Sequence, residues 1–424
     1  MCGFAGFIEF IKPSADCKDL LRMQKTIEHR GPDDRGYYFE PGVGLCHARL
    51  AIIDLSDKAH QPMRRGDLTL LYNGEIYNYR EIRKELADLG HTFQSNSDTE
   101  VLLEAYREWG KDILLRLNGM FAFAIYDHKK RKLFLARDRL GIKPLFYYLD
   151  EFCFVFSSEI KAIKAYPGFI KKISQEGLRN YLEFGYTTGA QTIWENVSRV
   201  LPSQSVSVDV GSRLVESAVY WNPYFTPSSN GRNLEPNFQE TVQELESLLI
   251  DEFRRSLMSD VPLGACISGG VDSNVLISLI VKKLGFRLKT YSLGSEDSQY
   301  DENASARAVA GFLGTEHTAL TLHPDNCRQF FLDTIRHYDE PMSDQNILSF
   351  RLIARLAREE GIRVLLSGAG GDELFLGYPN VFLRKRIQPL FHIPRPLRRT
   401  FPQSLCRFSN KLYKGAQLLR QENY

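Results

Sequence analysis

The sequence has little that would place the protein in a membrane or on nucleic acid. Its 424 residues contain no apolar run approaching the roughly 18 residues that a bilayer-spanning helix needs. The N-terminus has no basic stretch followed by an apolar core, so it does not resemble a secretory signal. A formal net charge of +2 gives no electrostatic reason to bind nucleic acid or anionic lipid. Basic residues gather near the C-terminus, where we expect a solvated helix face: Arg384, Lys385, Arg386, Arg398 and Arg399.

Cysteine pairs with metal-binding spacing are also missing. The seven cysteines include no Cys-x-x-Cys pair, and their number is odd. Both features argue against a disulfide framework and against a zinc site. The remaining composition, 25% charged and 43% hydrophobic, is that of a globular protein long enough for two or three domains. We therefore expect a cytoplasmic protein with reduced thiols.

Short apolar and aromatic runs broken by turn residues occupy much of the first ~200 residues and predict strands. These runs are residues 121–127, 132–138, 145–148 and 152–158. Helical periodicity appears at 79–89 and 98–108, and the second stretch opens with acidic residues, as a helix N-terminus favours. Strands covered by a few helices indicate stacked antiparallel sheets.

The pattern changes after residues 222–236, which are rich in Pro, Ser, Asn and Gly and predict a linker. Beyond them, predicted helices separate the predicted strands 263–268, 288–294, 316–322 and 363–368. This alternation indicates a parallel sheet with crossover helices. The expected organisation is one domain over 1–205, a linker over 206–238 and a second domain over 239–424.

Cys2 directly follows the initiator Met1, and a small second residue normally allows the methionine to be removed. Removal would leave a thiol nucleophile beside a free α-amine. An α-amine with a pKa of about 7.7–8.0 can accept and return a proton near neutral pH. A Met-Cys start is usually accidental, so its meaning depends on the residues that accompany it.

Four further motifs supply the groups that a glutamine site needs. They are HRGPD at 29–33, RLAIID at 49–54, YNGEIYN at 72–78 and SDTE at 97–100. Arg49 can bind the substrate α-carboxylate, and Asp98 the α-ammonium. The Asn73 side chain and the Gly74 backbone N–H can stabilise an oxyanion. Taken singly, Asn73-Gly74 is also compatible with a hairpin turn and Arg49 with a surface ion pair, but the motifs together favour the glutamine site.

These motifs, with LARDRLGIKPLFYY at 135–148 and SSEIKAI at 157–163, resemble the class II glutamine amidotransferases. The resemblance is closest to the glutamine-hydrolysing asparagine synthetase family. It implies an Ntn-hydrolase fold, a four-layer αββα sandwich of two antiparallel sheets between helices. It also implies that Cys2, Asn73 and Gly74 are catalytic. The glutamine-binding set that it implies is Arg49, Ile53, Asn73, Gly74, Glu75 and Asp98.

The second half carries SGGVDS at 268–273, between a predicted strand and a predicted helix. Glycines there let backbone N–H groups and a helix N-terminus face a phosphate. No Gly-Lys-Ser or Gly-Lys-Thr follows, so this is not the Walker loop. A structural turn capped by Asp272 is the alternative interpretation. The motif SGAGGDELF at 367–375 ends another predicted strand, and ligands bind at the carboxyl ends of strands in such sheets.

Both motifs resemble the ATP site of the same family, an adenine-nucleotide α-hydrolase-like parallel α/β domain that splits ATP into AMP and pyrophosphate. The implied ATP-binding residues are Cys266, Ser268, Gly269, Gly270, Asp272, Ser273, Leu293, Ser367 and Gly368. Asp272 and Asp372 are implied to hold Mg²⁺. In the implied reaction, ATP adenylates an acceptor carboxylate, with aspartate as the leading candidate, and ammonia from glutamine displaces AMP. Dimers are common in the family, so a homodimer is one assembly that the resemblance allows.

Two features depart from the family pattern. The position of Ala369 is usually acidic in asparagine-forming members, where it is assigned to the attack of ammonia. The family also usually continues well beyond Tyr424, into a region that holds a pyrophosphate-contacting lysine, so the chain resembles a C-terminally truncated member. Two alternatives therefore stay open: a glutaminase whose second half binds nucleotide without ligation, and an amidotransferase for a polysaccharide-precursor acceptor. Adenylation of tRNA for thiolation is disfavoured, since the paired cysteines often used for it are missing and the glutaminase motifs would be unexplained.

Overall fold

The computed structural model describes residues 1–223, 237–295, 301–344 and 346–378. Within these ranges the chain forms two antiparallel sheets followed by one parallel sheet. This topology confirms the predicted fold class. None of the helices in the described ranges combines the length and the apolar character that a membrane span requires. The basic residues of the 384–399 stretch lie outside the described residues.

The first half contains twelve described strands and six described α-helices. The strands are β1 (Gly3–Glu9), β2 (Asp34–Glu40), β3 (Val43–Arg49), β4 (Met63–Arg65), β5 (Leu68–Ile76), β6 (Gly119–Asp127), β7 (Lys132–Arg137), β8 (Phe146–Leu149), β9 (Cys153–Ser157), β10 (Val197–Arg199), β11 (Gln204–Asp209) and β12 (Leu214–Val219). The helices are α1 (Cys17–Thr26), α2 (Tyr79–Asp88), α3 (Asp98–Trp109), α4 (Ile113–Arg116), α5 (Ile160–Ala165) and α6 (Gln175–Phe184). One sheet has the strand order β10-β8-β9-β1-β3-β2, and the other has the order β12-β11-β7-β6-β5-β4.

The two sheets pack face to face, and helices cover their outer faces. Strand β1 shows why: successive side chains of a strand point to opposite faces. Phe4 and Ile8 lie in the core between the sheets, whereas Ala5 and Phe7 face the core beneath α1 and α5. On the far side, α2, α3 and α4 cover the second sheet through a separate apolar cluster. The four layers are the predicted αββα sandwich.

The second sheet continues past residue 205, where we placed the end of the first domain. Strand β11 pairs with β7, and β12 pairs with β11. Val206 and Val208 are buried while Ser207 between them is half-buried, which is the alternation of a strand with one face on a core. Residues 206–219 of the expected linker are therefore mostly sheet. Residues 224–236, which include most of the Pro- and Gly-rich stretch, lie outside the described residues.

The second half alternates helices with parallel strands. In chain order its elements are α7 (Phe238–Ser256), β13 (Leu263–Cys266), α8 (Val271–Ser278), β14 (Lys289–Ser295), α9 (Asn303–Leu313), β15 (Glu316–Leu322), α10 (Pro324–His337), α11 (Asn346–Glu359), β16 (Val364–Leu366) and α12 (Gly371–Phe375). The strand order is β15-β14-β13-β16, and the three pairs are parallel. From β13 the chain builds outward to β15 and then returns to the other side of β13. Ligands of such sheets bind where the order reverses, so the carboxyl ends of β13 and β16 mark the expected ligand crevice.

The two halves meet along an interface that surrounds a cavity of about 1170 Å³. Its lining includes Arg30, Glu159 and Arg199 from the first half and the segment 337–344 from the second. Arg199 forms an ion pair of 2.6 Å with Glu340. The halves are thus joined by charged contacts beside a shared cavity.

Candidate functional site

Cys2 lies at the start of the central strand β1, next to the end of β3. Because Gly3 pairs with Ala48, Cys2 comes beside the residues that follow β3. The backbone N–H of Leu50 donates to Cys2 Sγ at 3.3 Å, and the thiol lies 3.5 Å from the Leu50 carbonyl oxygen. Burial raises the pKa of the Cys2 thiol, and the hydrogen bond from Leu50 offsets part of this increase. The thiol is therefore protonated at neutral pH and needs a base to become a nucleophile.

The environment of the chain terminus favours a neutral amine. Burial lowers the pKa of the Met1 α-amine to about 5. Lys143 Nζ lies 3.5 Å from the Met1 sulfur. The Met1 amine is therefore unprotonated at neutral pH, and an unprotonated amine is the form that accepts a proton from a thiol.

Asn73 and Gly74 lie on β5, in the second sheet. The Asn73 side chain is buried, and its Nδ2 has no hydrogen-bond partner among the described residues. Leaving a buried donor without an acceptor costs about 1–3 kcal/mol. An acceptor atom on a bound ligand would remove this cost. At Gly74 a Cβ would lie 2.8 Å from the Phe121 Cα, so the strand tolerates only glycine at this position. The predicted oxyanion donors are thus neighbours on one strand, with Asn73 buried and Gly74 half-buried.

Two buried carboxyl groups lie beside these donors. Asp98, at the start of α3, accepts hydrogen bonds from Tyr72 Oη at 2.8 Å and from Ile76 N at 3.1 Å. Glu75 Oε2 is buried without a hydrogen-bond partner in the described part of the chain. Burial, followed by the charge of Asp98, raises the pKa of Glu75 well above its ordinary value. Such a pair of acids is suited to an ammonium group, which would restore their ionised forms.

Arg49 ends β3 and organises the loop that follows it. Its guanidinium donates to the carbonyl oxygens of Ser56, at 2.9 Å, and Asp54. Ile53, in the same loop, packs against the apolar cluster under the second sheet. The charges of Glu75 and Arg49 both act on the Cys2 thiol. The structure therefore brings the predicted catalytic and glutamine-binding residues of the first half into one site.

Sequence reasoning missed the charged residues that surround Cys2 from the other side. Arg30 Nε donates to the Cys2 carbonyl oxygen at 2.8 Å, and Arg30 Nη1 donates to Glu159 Oε1 at 2.7 Å. Glu159 also accepts from Lys161 Nζ at 2.7 Å. Lys143 is buried, which lowers its pKa, and it interacts with Glu75 and Cys2. Each of these residues lies inside a motif quoted for the resemblance, so the signal was present although no role was assigned.

The predicted phosphate loop connects β13 to α8 in a tight turn. The backbone N–H of Ser268 donates to Ser273 Oγ at 3.2 Å, and that of Gly270 donates to Ser268 Oγ at 3.1 Å. The two serine hydroxyls are 2.8 Å apart. Gly269 N lies 3.4 Å from a carboxylate oxygen of Glu302. These short-range bonds fold the loop so that it leads directly into the N-terminus of α8, where an anion is favoured.

The second nucleotide motif packs directly on the first, because β16 pairs with β13. A Cβ on Gly368 would lie 2.8 Å from the backbone nitrogen of Ser273. A Cβ on Gly371, just before Asp372, would lie only 2.3 Å from a carboxylate oxygen of Asp272. The two motifs thus lie against each other at the carboxyl ends of β13 and β16, the predicted switch point. Both predicted metal-binding aspartates lie in the first turns of the helices that follow, Asp272 in α8 and Asp372 in α12.

The flanks of the crevice are less polar. Cys266 ends β13, and burial raises the pKa of its thiol to about 11, so it acts as a small apolar group. Leu293 lies on the neighbouring strand β14. No cluster of three or more His, Cys, Asp or Glu side chains suited to a metal occurs among the described residues. Two carboxylates nevertheless fit Mg²⁺, which usually takes one or two carboxylates together with substrate phosphates.

Comparison with known proteins gives two family matches. Residues 1–221 match a glutamine amidotransferase domain, and residues 244–423 match asparagine synthase. The chain is 34% identical to a putative asparagine synthetase [glutamine-hydrolyzing] 2 of Methanocaldococcus jannaschii, over 94% of this chain and 79% of that protein. It is 33% identical to asparagine synthetase [glutamine-hydrolyzing] 1 of Bacillus subtilis, over 94% of this chain but only 62% of that protein. A solved structure described as the allosteric regulatory enzyme of purine biosynthesis aligns with a TM-score of 0.41 at 15% identity, covering 86% of this chain and 89% of that one.

Proposed function

Because the chain belongs to the glutamine-hydrolysing asparagine synthetase family, we propose that it is an ATP-dependent amidotransferase that takes its ammonia from glutamine. The observation that carries this proposal is the unsatisfied pair of buried groups at Asn73 Nδ2 and Glu75 Oε2, in the same site as the Cys2 thiol. A buried donor and a buried carboxyl oxygen match the oxyanion and the ammonium group of bound glutamine.

In the first half-reaction, removal of Met1 makes Cys2 the N-terminal residue. Its α-amine takes the thiol proton, and the thiolate attacks the side-chain amide carbon of glutamine. Asn73 Nδ2 and the Gly74 N–H stabilise the resulting oxyanion, and the proton passes to the departing ammonia. Water then hydrolyses the thioester to glutamate. Arg49 binds the α-carboxylate of glutamine, Glu75 and Asp98 bind its α-ammonium, and Ile53 contacts its carbon chain. The proposed glutaminase site therefore consists of Cys2, Arg49, Ile53, Asn73, Gly74, Glu75 and Asp98.

In the second half-reaction, ATP occupies the crevice at the carboxyl ends of β13 and β16. The loop at 268–273 receives the pyrophosphate part, and Leu293, Cys266 and the backbone at 367–368 contact the adenosine part. Asp272 and Asp372 would hold Mg²⁺, which supplies charge neutralisation at the phosphates. The acceptor carboxylate attacks the α-phosphate, and ammonia then displaces AMP from the acyl-adenylate. Use of ATP and a free catalytic thiol fits a cytoplasmic location.

We propose aspartate as the acceptor, because the relatives named above are asparagine synthetases. Ala369 supports a second candidate, a carboxylate in a polysaccharide precursor. It is exposed at the crevice and cannot exchange a proton, whereas the asparagine-forming pattern places an acid there. The chain also spans only 62% of the Bacillus subtilis relative. Because that relative is longer than this chain, formation of the amide bond by this chain is itself a proposal.

The glutaminase half is tested by the N-terminus itself. We expect the intact mass of the purified protein to lack Met1, and we expect glutamate to form from glutamine without ATP. Cys2→Ala should abolish glutamate formation, whereas Cys17→Ala, at a half-buried cysteine on α1, should not. Glutamate formation that survives in Cys2→Ala would overturn the assignment of the nucleophile.

The acceptor is tested by supplying ammonium, Mg²⁺, ATP and one carboxylate at a time to Cys2→Ala. Pyrophosphate release that requires aspartate supports asparagine formation. Release that requires a sugar-linked carboxylate instead supports the second candidate. A nucleotide-binding half that releases no pyrophosphate with any carboxylate would contradict ligation by this chain and would leave the glutaminase as its activity.

A further inference from the structure

The loop of residues 50–56, here called the glutamine loop, contacts both the nucleophile and the substrate-binding arginine. The N–H of Leu50 donates to Cys2 Sγ at 3.3 Å, and the carbonyl oxygen of Ser56 accepts from Arg49 at 2.9 Å. Ile53 lies between these two points. Any shift of the loop therefore moves the groups that bind glutamine and changes the contact with the thiol.

The nucleotide-binding half holds this loop directly at Asp260. The backbone N–H of Asp260 donates to the Ile52 carbonyl oxygen at 2.9 Å. In return, the Asp54 N–H donates to Asp260 Oδ2 at 2.8 Å. This reciprocal pair spans two consecutive peptide units of the loop, so it fixes both the position and the direction of the loop.

A second contact reaches the loop through Asp33. Arg363 Nη1 forms an ion pair with Asp33 Oδ2, and the same oxygen accepts a hydrogen bond from Ala51 N at 2.9 Å. Ala51 follows Leu50, which contacts the Cys2 thiol. Arg363 thus acts on the loop one residue away from the nucleophile contact.

Both residues stand at the amino ends of the strands that carry the nucleotide motifs. Asp260 lies three residues before β13, and Arg363 lies directly before β16. The two strands pair in register, and Arg363 N donates to the Pro262 carbonyl oxygen at 3.3 Å. Since strands rise about 3.3 Å per residue, the amino and carboxyl ends of these short strands are only about 7–10 Å apart. Two short hydrogen-bonded strands therefore connect the glutamine loop with the ATP crevice.

We propose that Asp260 and Arg363 are positioning residues for the glutaminase, through which the nucleotide-binding half holds the glutamine loop and couples ATP binding to glutamine binding. The proposal rests on the proposed function of both sites. The route for this coupling is the strand pair β13 and β16, whose carboxyl ends lead into the two nucleotide motifs and whose amino ends follow Asp260 and Arg363. By thermodynamic linkage the effect is reciprocal, so ATP and glutamine change each other's affinity by the same factor.

The test measures glutamine binding and turnover in the full chain. Asp260→Ala removes the carboxylate acceptor, whereas Asp260→Asn keeps an oxygen for the Asp54 N–H. Asp260→Ala and Arg363→Gln should each raise KM for glutamine about fivefold and leave kcat within about twofold. Asp260→Asn should remain close to wild type. Asp251→Ala, at an exposed acid on α7 that pairs with Arg254, is the matched control and should change neither constant.

Coupling and binding are read separately from turnover. Glutamine should protect Cys2 from alkylation by iodoacetamide, with the midpoint followed by mass of the N-terminal peptide. Saturating ATP should shift that midpoint in the wild type, and the shift should vanish in the variants. If wild type makes no glutamate yet glutamine still protects Cys2, the proposed function fails but the coupling is still measured. Equal midpoints in wild type, Asp260→Ala and Arg363→Gln, with and without ATP, would overturn the inference. So would an equal loss of stability and kcat with KM unchanged, which a purely structural interface predicts.

Discussion

Replacement of Asn73 by alanine should separate activity from stability. Asn73 Nδ2 is buried and has no partner in the described part of the chain, so the substitution removes no protein hydrogen bond from that atom. We therefore expect the free energy of unfolding to change by no more than about 1 kcal/mol. The glutaminase loses an oxyanion donor, which should lower kcat by about 10²–10³, equivalent to about 2.7–4 kcal/mol of transition-state stabilisation.

The matched control is Asn78→Ala, five residues further along the same motif. Asn78 Nδ2 donates to the Arg116 carbonyl oxygen at 2.9 Å, and Asn78 Oδ1 accepts from Asn118 N at 2.9 Å. Loss of both bonds should cost about 1–3 kcal/mol of stability and leave kcat within about twofold.

Urea unfolding and steady-state glutamate formation measure the two quantities on the same preparations. The expected result is a crossed pattern, in which Asn73→Ala is stable but slow and Asn78→Ala is unstable but fast. A kcat for Asn73→Ala within about tenfold of wild type would refute the role of the Asn73 amide as an oxyanion donor. Parallel losses of stability and kcat in both variants would refute it as well.

Three further predictions concern other parts of the molecule. Glutamine binding to Cys2→Ala should release protons, because the ammonium group of glutamine lowers the raised pKa of the Glu75 carboxyl. Calorimetry in buffers of different ionisation enthalpy measures the proton release, and its absence would contradict the assignment of Glu75 to the ammonium group. Gly368→Ala should abolish pyrophosphate release and spare glutamate formation, since the new Cβ would lie 2.8 Å from the backbone nitrogen of Ser273. The control Gly311→Ala places its Cβ in open space on α9 and should stabilise that helix by about 0.5–1 kcal/mol. Burial alone would raise the pKa of Glu159, but the hydrogen bond from His29 and the charge of Arg30 lower this pKa well below 4.5. The stability that this ionised carboxylate contributes is therefore present above pH 4.5 and is lost as the pH falls through its lowered pKa. Acid unfolding should show a smaller loss of stability in Glu159→Gln than in the wild type.

Much of the fold follows from local patterns in the sequence. The buried runs that became β6, β7 and β9 are bounded by turn residues, and the alternation of helices with strands in the second half gives the parallel sheet. The end of the first domain was harder to place, because β12 is mostly exposed and gives little hydrophobic signal. Helix α10 was not predicted, although Phe331 and Ile335 recur at helical spacing in its sequence.

The site shows a similar division. The predictions for Cys2, Asn73 and the two nucleotide loops rest on motifs and their resemblance to the family, because each of these is carried by a contiguous stretch of sequence. The contacts between halves could not be predicted, since Asp33 meets Arg363 across more than three hundred positions of sequence, and only the folded chain brings them together. Long-range pairing of this kind leaves no trace in local spacing.

The most direct test of the account is a paired assay of the purified chain with glutamine, Mg²⁺, ATP and aspartate, in which glutamate, AMP and pyrophosphate are followed together. We predict that all three form, that Cys2→Ala stops glutamate formation, and that added ammonium restores AMP and pyrophosphate formation in that variant. Glutamate formation that persists in Cys2→Ala, or ATP cleavage that neither glutamine nor ammonium supports, would contradict it.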